Sequence, residues 1–124
     1  MKKALILLLC SDPVVRSVMK EVLEEAGHVV QPAGDLGVAV DRLLEAPPDL
    51  LITQPYIDNI TGHDAALYLR TKQHGLRVLV VSGTLDDDRL RYRDMLQAFA
   101  VFPAPYTGVQ LVKKVEEVLS GQSG

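Results

Sequence analysis

Polar residues stand where the apolar runs of this chain end, and they decide what chemistry it can attempt. Ala4–Leu9 ends in Cys10-Ser11-Asp12, Leu50–Thr53 in Gln54, Arg77–Val81 in Ser82, and Ala100–Phe102 leads into Pro103-Ala104-Pro105-Tyr106. Gln54 is a primary amide, a hydrogen-bonding group but a poor nucleophile that forms no acyl phosphate. Its amide is placed to hydrogen-bond Ser82 and hold a pocket in one conformation, or simply to be wetted at a strand mouth. Ser82 has no His or Lys placed to activate it. Cys10 is the single cysteine, which excludes a disulfide framework and leaves a redox or soft-metal role without partners. His28, His63 and His74 fall in separate segments without ligand spacing and are expected as solvated or loop residues. The carboxylates expected nearest Gln54 are Asp12, which suits a helix N-cap before Pro13, and Asp58, in the turn-like Ile57-Asp58-Asn59-Ile60. No metal site and no cofactor is expected from this set.

The elements that must position these residues follow from apolar spacing. Ala4–Leu9 is a continuous run, the pattern of a strand covered on both faces. Met1–Cys10 imitates a signal peptide, but the run is too short and no small-residue cleavage site precedes Cys10. Val14, Val15, Val18, Met19, Val22, Leu23 and Ala26 recur at helical spacing, with Pro13 suited to the first turn and Gly27 to the stop. His28–Gln31 reads as a second strand. Asp35 caps a helix bearing Val38, Val40, Leu43 and Leu44, ended by Pro47-Pro48. Leu50–Thr53 is the third strand and Gly62–Lys72 a helix. Arg77–Val81 is the fourth strand, Asp86–Phe99 a helix and Ala100–Phe102 the fifth strand. Val109–Leu119 is the last helix, with Val112, Val115 and Leu119 inward. Strict alternation predicts an α/β fold: a flavodoxin-like, doubly wound, five-stranded parallel sheet of order 2-1-3-4-5 in a three-layer α/β/α sandwich. Residues 1–120 form one domain and 121–124 a flexible tail. Such folds work at the C-terminal ends of their strands, where the polar residues above stand.

Composition narrows the function classes. The 124 residues are 48% apolar and 23% charged, with a net charge of -3. That balance suits a soluble, cytoplasmic protein and argues against direct contact with nucleic acid or an acidic membrane.

Those loops carry a family likeness. LLLCSDPVVRSVMKEVLEEAGHVV, PDLLITQPYIDNITGHDAALYLR, VLVVSG and FPAPYTGVQLVKKVEEVL resemble the four signature segments of response-regulator receiver domains. The resemblance implies a CheY-like module in which an Asp at the third strand end accepts a phosphoryl group with Mg²⁺ bound by an acidic pair. Carried over by position, the acceptor falls on Gln54, the acidic pair on Cys10 and Ser11, the hydroxyl on Ser82, and the Lys on Ala104. Asp12 follows the pair, Pro105 is kept with a cis Ala104–Pro105 bond implied, and the rotamer-switching aromatic falls on Val101. A thiol and a hydroxyl give a hard cation neither charge nor the right ligands. Without the Lys, charge on a transferring phosphoryl group is unneutralised.

The resemblance therefore implies a degenerate receiver: not an enzyme, but a phosphorylation-independent protein-interaction module in signalling. Its partner would be a signalling or output protein, or a second copy of the chain. The family's interaction face corresponds to Arg89, Arg93, Val101, Phe102 and Tyr106. Ala100 stands where an acid often does, so the family's ion-paired dimer is not expected. Two alternatives stay open: a phosphorylatable receiver using Asp12 or Asp58, and a flavodoxin-like domain binding a small ligand in the vacated pocket.

Overall fold

The computed structural model describes residues 3–81, 99–102 and 106–121. The helix expected over Asp86–Phe99 falls almost wholly outside these residues, although Phe99 is described as buried and lies in a bend. In chain order the elements are β1 (Leu5–Leu9), α1 (Pro13–Glu25), β2 (Val29–Ala33), α2 (Leu36–Glu45), β3 (Leu50–Thr53), β4 (Tyr56–Ile57), β5 (Ile60–Thr61), α3 (Gly62–Lys72), β6 (Arg77–Val81), β7 (Ala100–Phe102) and α4 (Gly108–Leu119). The main sheet is parallel throughout, in the order β2-β1-β3-β6-β7. Leaving aside the β4–β5 hairpin, this is the expected 2-1-3-4-5.

The continuous apolar runs feed two cores because successive strand side chains point to opposite faces. Leu7, Leu9, Leu51, Val78 and Val80 meet Ala39 and Leu43 of α2 and Ala65, Ala66 and Leu69 of α3. Ile6, Leu8, Leu50, Ile52 and Leu79 meet Met19 and Leu23 of α1 and Leu111, Val115 and Val118 of α4. Pro32 is accommodated because β2 is an edge strand, where a missing N–H costs no ladder bond.

Caps set the helix bounds. Asp12 accepts from the Val14 and Val15 amides, Asp35 from Val38, and Thr61 from Asp64. Thr107 and Gln110 form a reciprocal capping box on α4. Gly27 stops α1 at φ 97°, a conformation that favours glycine.

Several expectations shift. β2 runs Val29–Ala33 rather than His28–Gln31. Val14 and Val18 are 70% and 56% exposed, and Leu44 is 64% exposed, so the inward faces are narrower than periodicity suggested. On α4 Val115 is buried as expected and Leu119 packs partly buried against the same core, but Leu111 and Val118 are buried as well, while Val112 is only half-buried. Gly108 lies close to α1, where a methyl group would stand 3.2 Å from the Val22 side chain. His28 is buried, not solvated: its Nδ1 accepts the Ala4 N–H at 3.1 Å and ties the start of β1 to the turn before β2. Gly121 still donates to the Val118 carbonyl, so the first residue of the expected tail stays tied to α4.

Candidate functional site

Parallel pairing brings the strand ends together. Leu9 is in register with Thr53, and Thr53 with Val80. One residue further on, the Gln54 backbone N–H donates to the Leu9 carbonyl at 3.4 Å and the Cys10 backbone N–H to the Ala33 carbonyl at 3.0 Å. Cys10 and Gln54 thus stand at the C-terminal ends of the adjacent strands β1 and β3, where the doubly wound fold places its functional crevice.

The loops around them are held by bonds to backbone oxygens. Arg16, one turn into α1, donates through Nη1 to the Cys10 carbonyl at 2.7 Å, and its guanidinium lies against Gly34 after β2. Thr53 is fully buried and its hydroxyl donates to the Gln54 carbonyl at 3.1 Å. Gly62 opens α3, donating to the Pro55 carbonyl at 2.7 Å. A methyl group on Gly62 would lie 2.1 Å from the Gln54 carbonyl oxygen, so the helix start is seated directly on that peptide. Between them runs the β4–β5 hairpin, with Asp58 at φ 53° in its turn and Ile57 inserted into the core. Periodicity missed this hairpin, because two-residue strands carry no alternation to read.

The donor set is neutral or already committed. Cys10 is fully buried. Burial pushes its thiol above the usual cysteine value, more than the Asp12 backbone hydrogen bond and the Arg16 charge pull it down. Its Sγ donates to the Asp12 carbonyl at 3.5 Å. Ser11 is half-buried, and Oδ1 of the Asp12 carboxylate caps α1. Among the described residues no group of three His, Cys, Asp or Glu side chains is placed to hold a metal. A hard divalent cation, which wants several carboxylate or carbonyl oxygens, does not fit a protonated thiol, a hydroxyl and an amide. Tyr106 lies close enough for Cys10 to act on it: burial first, then the Cys10 charge, raises its phenol above the usual value.

Of the residues expected here, Cys10, Ser11, Asp12 and Gln54 lie on the adjoining ends of β1 and β3. Ser82, Ala104 and Pro105 lie outside the described residues, and with them the Gln54–Ser82 bond and the cis peptide. So do Arg89 and Arg93. Val101 packs against the α2–α3 core, while Phe102 and Tyr106, with ring centroids 5.0 Å apart, pack against the α1–α4 core. The two strand residues therefore point to opposite sides of β7. The strand pattern does not single out Thr53; a hydroxyl closing an otherwise aliphatic run is the available signal.

A doubly wound parallel sheet with polar residues at its central strand ends defines a class of small flavodoxin-like α/β domains. Within it the assignment is specific: residues 6–116 match the response regulator receiver domain family, and the chain belongs to that family, the receiver module of two-component signalling. Comparison with curated proteins gave no match. Among solved structures, NtrX from Brucella abortus superposes with a TM-score of 0.87 at 18% identity, over 98% of this chain and 28% of that one. A receiver domain protein from Clostridium thermocellum gives 0.83 at 18% identity over 96% of both chains. TrrA from Thermotoga maritima, in complex with Mg²⁺-BeF, gives 0.77 at 23% identity over 95% of this chain and 99% of that one. At these identities the likeness is one of fold. The chain spans little more than a quarter of NtrX. No helix among the described residues is long and apolar enough to cross a membrane.

Proposed function

We propose that this receiver is a phosphorylation-independent interaction module, working in the cytoplasm by presenting a fixed surface to a signalling or output protein. It is a binding module rather than an enzyme. The observation that carries the reading is the strand-end position itself. Gln54 occupies it, next to Cys10 and Ser11, and its carbonyl is pinned by the Thr53 hydroxyl beneath the start of α3.

An amide there accepts no phosphoryl group, and the neighbouring groups bind Mg²⁺ poorly. Ala104 supplies no ammonium. A pocket event that cannot occur gives no differential binding between two conformations, and without that no population shift follows. Asp12 is a poor substitute acceptor because phosphorylation would weaken the α1 cap that its Oδ1 makes, which contributes about 1 kcal/mol.

The test is incubation with acetyl phosphate and Mg²⁺ followed by intact mass measurement. The mass should stay unchanged. A stable phosphoryl adduct would overturn the reading, and peptide mapping would then show whether Asp12 or Asp58 carries it.

A further inference from the structure

At the opposite edge of the sheet, where the strands begin, lies a surface cavity of about 320 Å³ lined by Lys3, Ala4, Asp49, Arg77 and Leu119. We propose that this cavity is a binding site for a small oxyanion, a carboxylate or a phosphate group. It is separate from the Gln54 crevice by the length of the strands, roughly 15 Å, and does not depend on the reading of that crevice.

The donors are arranged for it. Arg77, the first residue of β6, uses Nη1 to hold the Val118 and Leu119 carbonyls at the end of α4. That bond fixes the guanidinium plane and offsets the negative end of the helix. It leaves the Nε–Nη2 edge, whose paired N–H groups match a carboxylate or phosphate bidentately. Among the described residues Lys3 makes no ion pair, so its ammonium is a second uncommitted donor on the same wall. Asp49 is the opposing charge, but its Oδ2 accepts the Leu5 N–H at 2.8 Å and it pairs with neither cation. One oxygen of the carboxylate thus holds the start of β1 and neither cation is paired with it, so both cations retain free donors.

Amide chemical shifts of the ¹⁵N-labelled chain, followed during titration at constant ionic strength, provide the test. Inorganic phosphate forms one arm, succinate a second, and sodium chloride the control. Saturable shifts confined to the cavity amides in either of the first two arms are expected, and the arm that saturates lower names the ligand class. Lys3→Gln and Arg77→Lys should each weaken binding about tenfold. Asp49→Asn keeps an oxygen for the Leu5 N–H and should tighten binding severalfold by removing a repelling charge. Linear shifts in both arms, equal shifts with chloride, or weaker binding in Asp49→Asn would each overturn the proposal.

Discussion

Gly62→Ala is the substitution whose cost the geometry fixes most tightly. The new methyl would stand 2.1 Å from the Gln54 carbonyl oxygen, whereas real Cβ atoms keep at least 3.0 Å from such neighbours. The α3 start or the Gln54 peptide must therefore move by about 1 Å. The obstacle is backbone, so no side-chain rotation relieves it, and overpacking of this kind costs about 1–3 kcal/mol. The same movement strains two bonds: Gly62 N–H to the Pro55 carbonyl and the Thr53 hydroxyl to the Gln54 carbonyl. Thr53 is fully buried, so a displaced hydroxyl finds no water and adds about 1–2 kcal/mol.

A total near 3 kcal/mol follows. With an unfolding entropy of roughly 0.26 kcal/mol/K for a chain this long, the melting temperature should fall by about 12 °C. Differential scanning calorimetry and urea unfolding measure it directly. Gly34→Ala is the contrasting case, because its nearest neighbour is Arg16 Nη1 at 3.2 Å, a side-chain atom that need shift only a few tenths of an ångström and can keep its bond to the Cys10 carbonyl. Its cost should stay below about 1 kcal/mol. A Gly62→Ala protein within 1 kcal/mol of the parent would refute the argument that α3 is seated on the Gln54 peptide.

Gln54→Asp alone should remain unmodified by acetyl phosphate and Mg²⁺ in intact mass measurements, because Cys10, Ser11 and Ala104 still supply neither metal ligands nor the ammonium. Efficient labelling of that variant would mean the rest of the site was misplaced. Thr53→Val should lower stability by about 1 kcal/mol in urea, since it removes a buried donor to Gln54 while keeping the shape. The Cys10 and Tyr106 acids are raised in the fold, so above pH ~9 the unfolded chain gives up those protons before the native one does, and stability falls as pH rises. Cys10→Ala with Tyr106→Phe should flatten that alkaline decline in denaturant titrations; an unchanged slope would place its origin elsewhere.

The fold was legible because its strands are unambiguous. Leu50–Thr53, Arg77–Val81 and Ala100–Phe102 are short apolar runs bounded by Pro, Gly or Asp, and a parallel strand buried on both faces leaves that trace. Gly62–Lys72 was readable for another reason: Ala65, Ala66 and Leu69 recur on one side at helical spacing, and these are the side chains the helix buries. What escaped depends on tertiary partners. The inward face of α4 is fixed by Leu111, Val115 and Val118 packing against Met19 and Leu23 of α1 and the β1 and β3 strands, partners that lie far away in sequence. His28 is buried because an amide 24 residues earlier needs an acceptor. Arg77 looked like the polar first residue of a strand, and only the return of α4 gives it the Val118 and Leu119 carbonyls. Periodicity reports which face is apolar; it does not report which distant backbone group lies opposite.

That distinction also explains how the crevice side chains can change while the loops persist. The contacts that shape the crevice end on backbone atoms: Arg16 on the Cys10 carbonyl, Thr53 on the Gln54 carbonyl, Gly62 on the Pro55 carbonyl, Asp12 on the α1 amides. Any residue at positions 10 or 54 presents the same carbonyl to these partners. The side chains that do chemistry are thus separable from the scaffold that aims them, as expected where function is grafted onto a fold. Replacing a carboxylate by Gln at such a position removes a charge from a partly enclosed site and disturbs no loop bond. A receiver can therefore lose its acceptor and keep its surface, and under the proposed reading that unchanged surface is what a partner recognises.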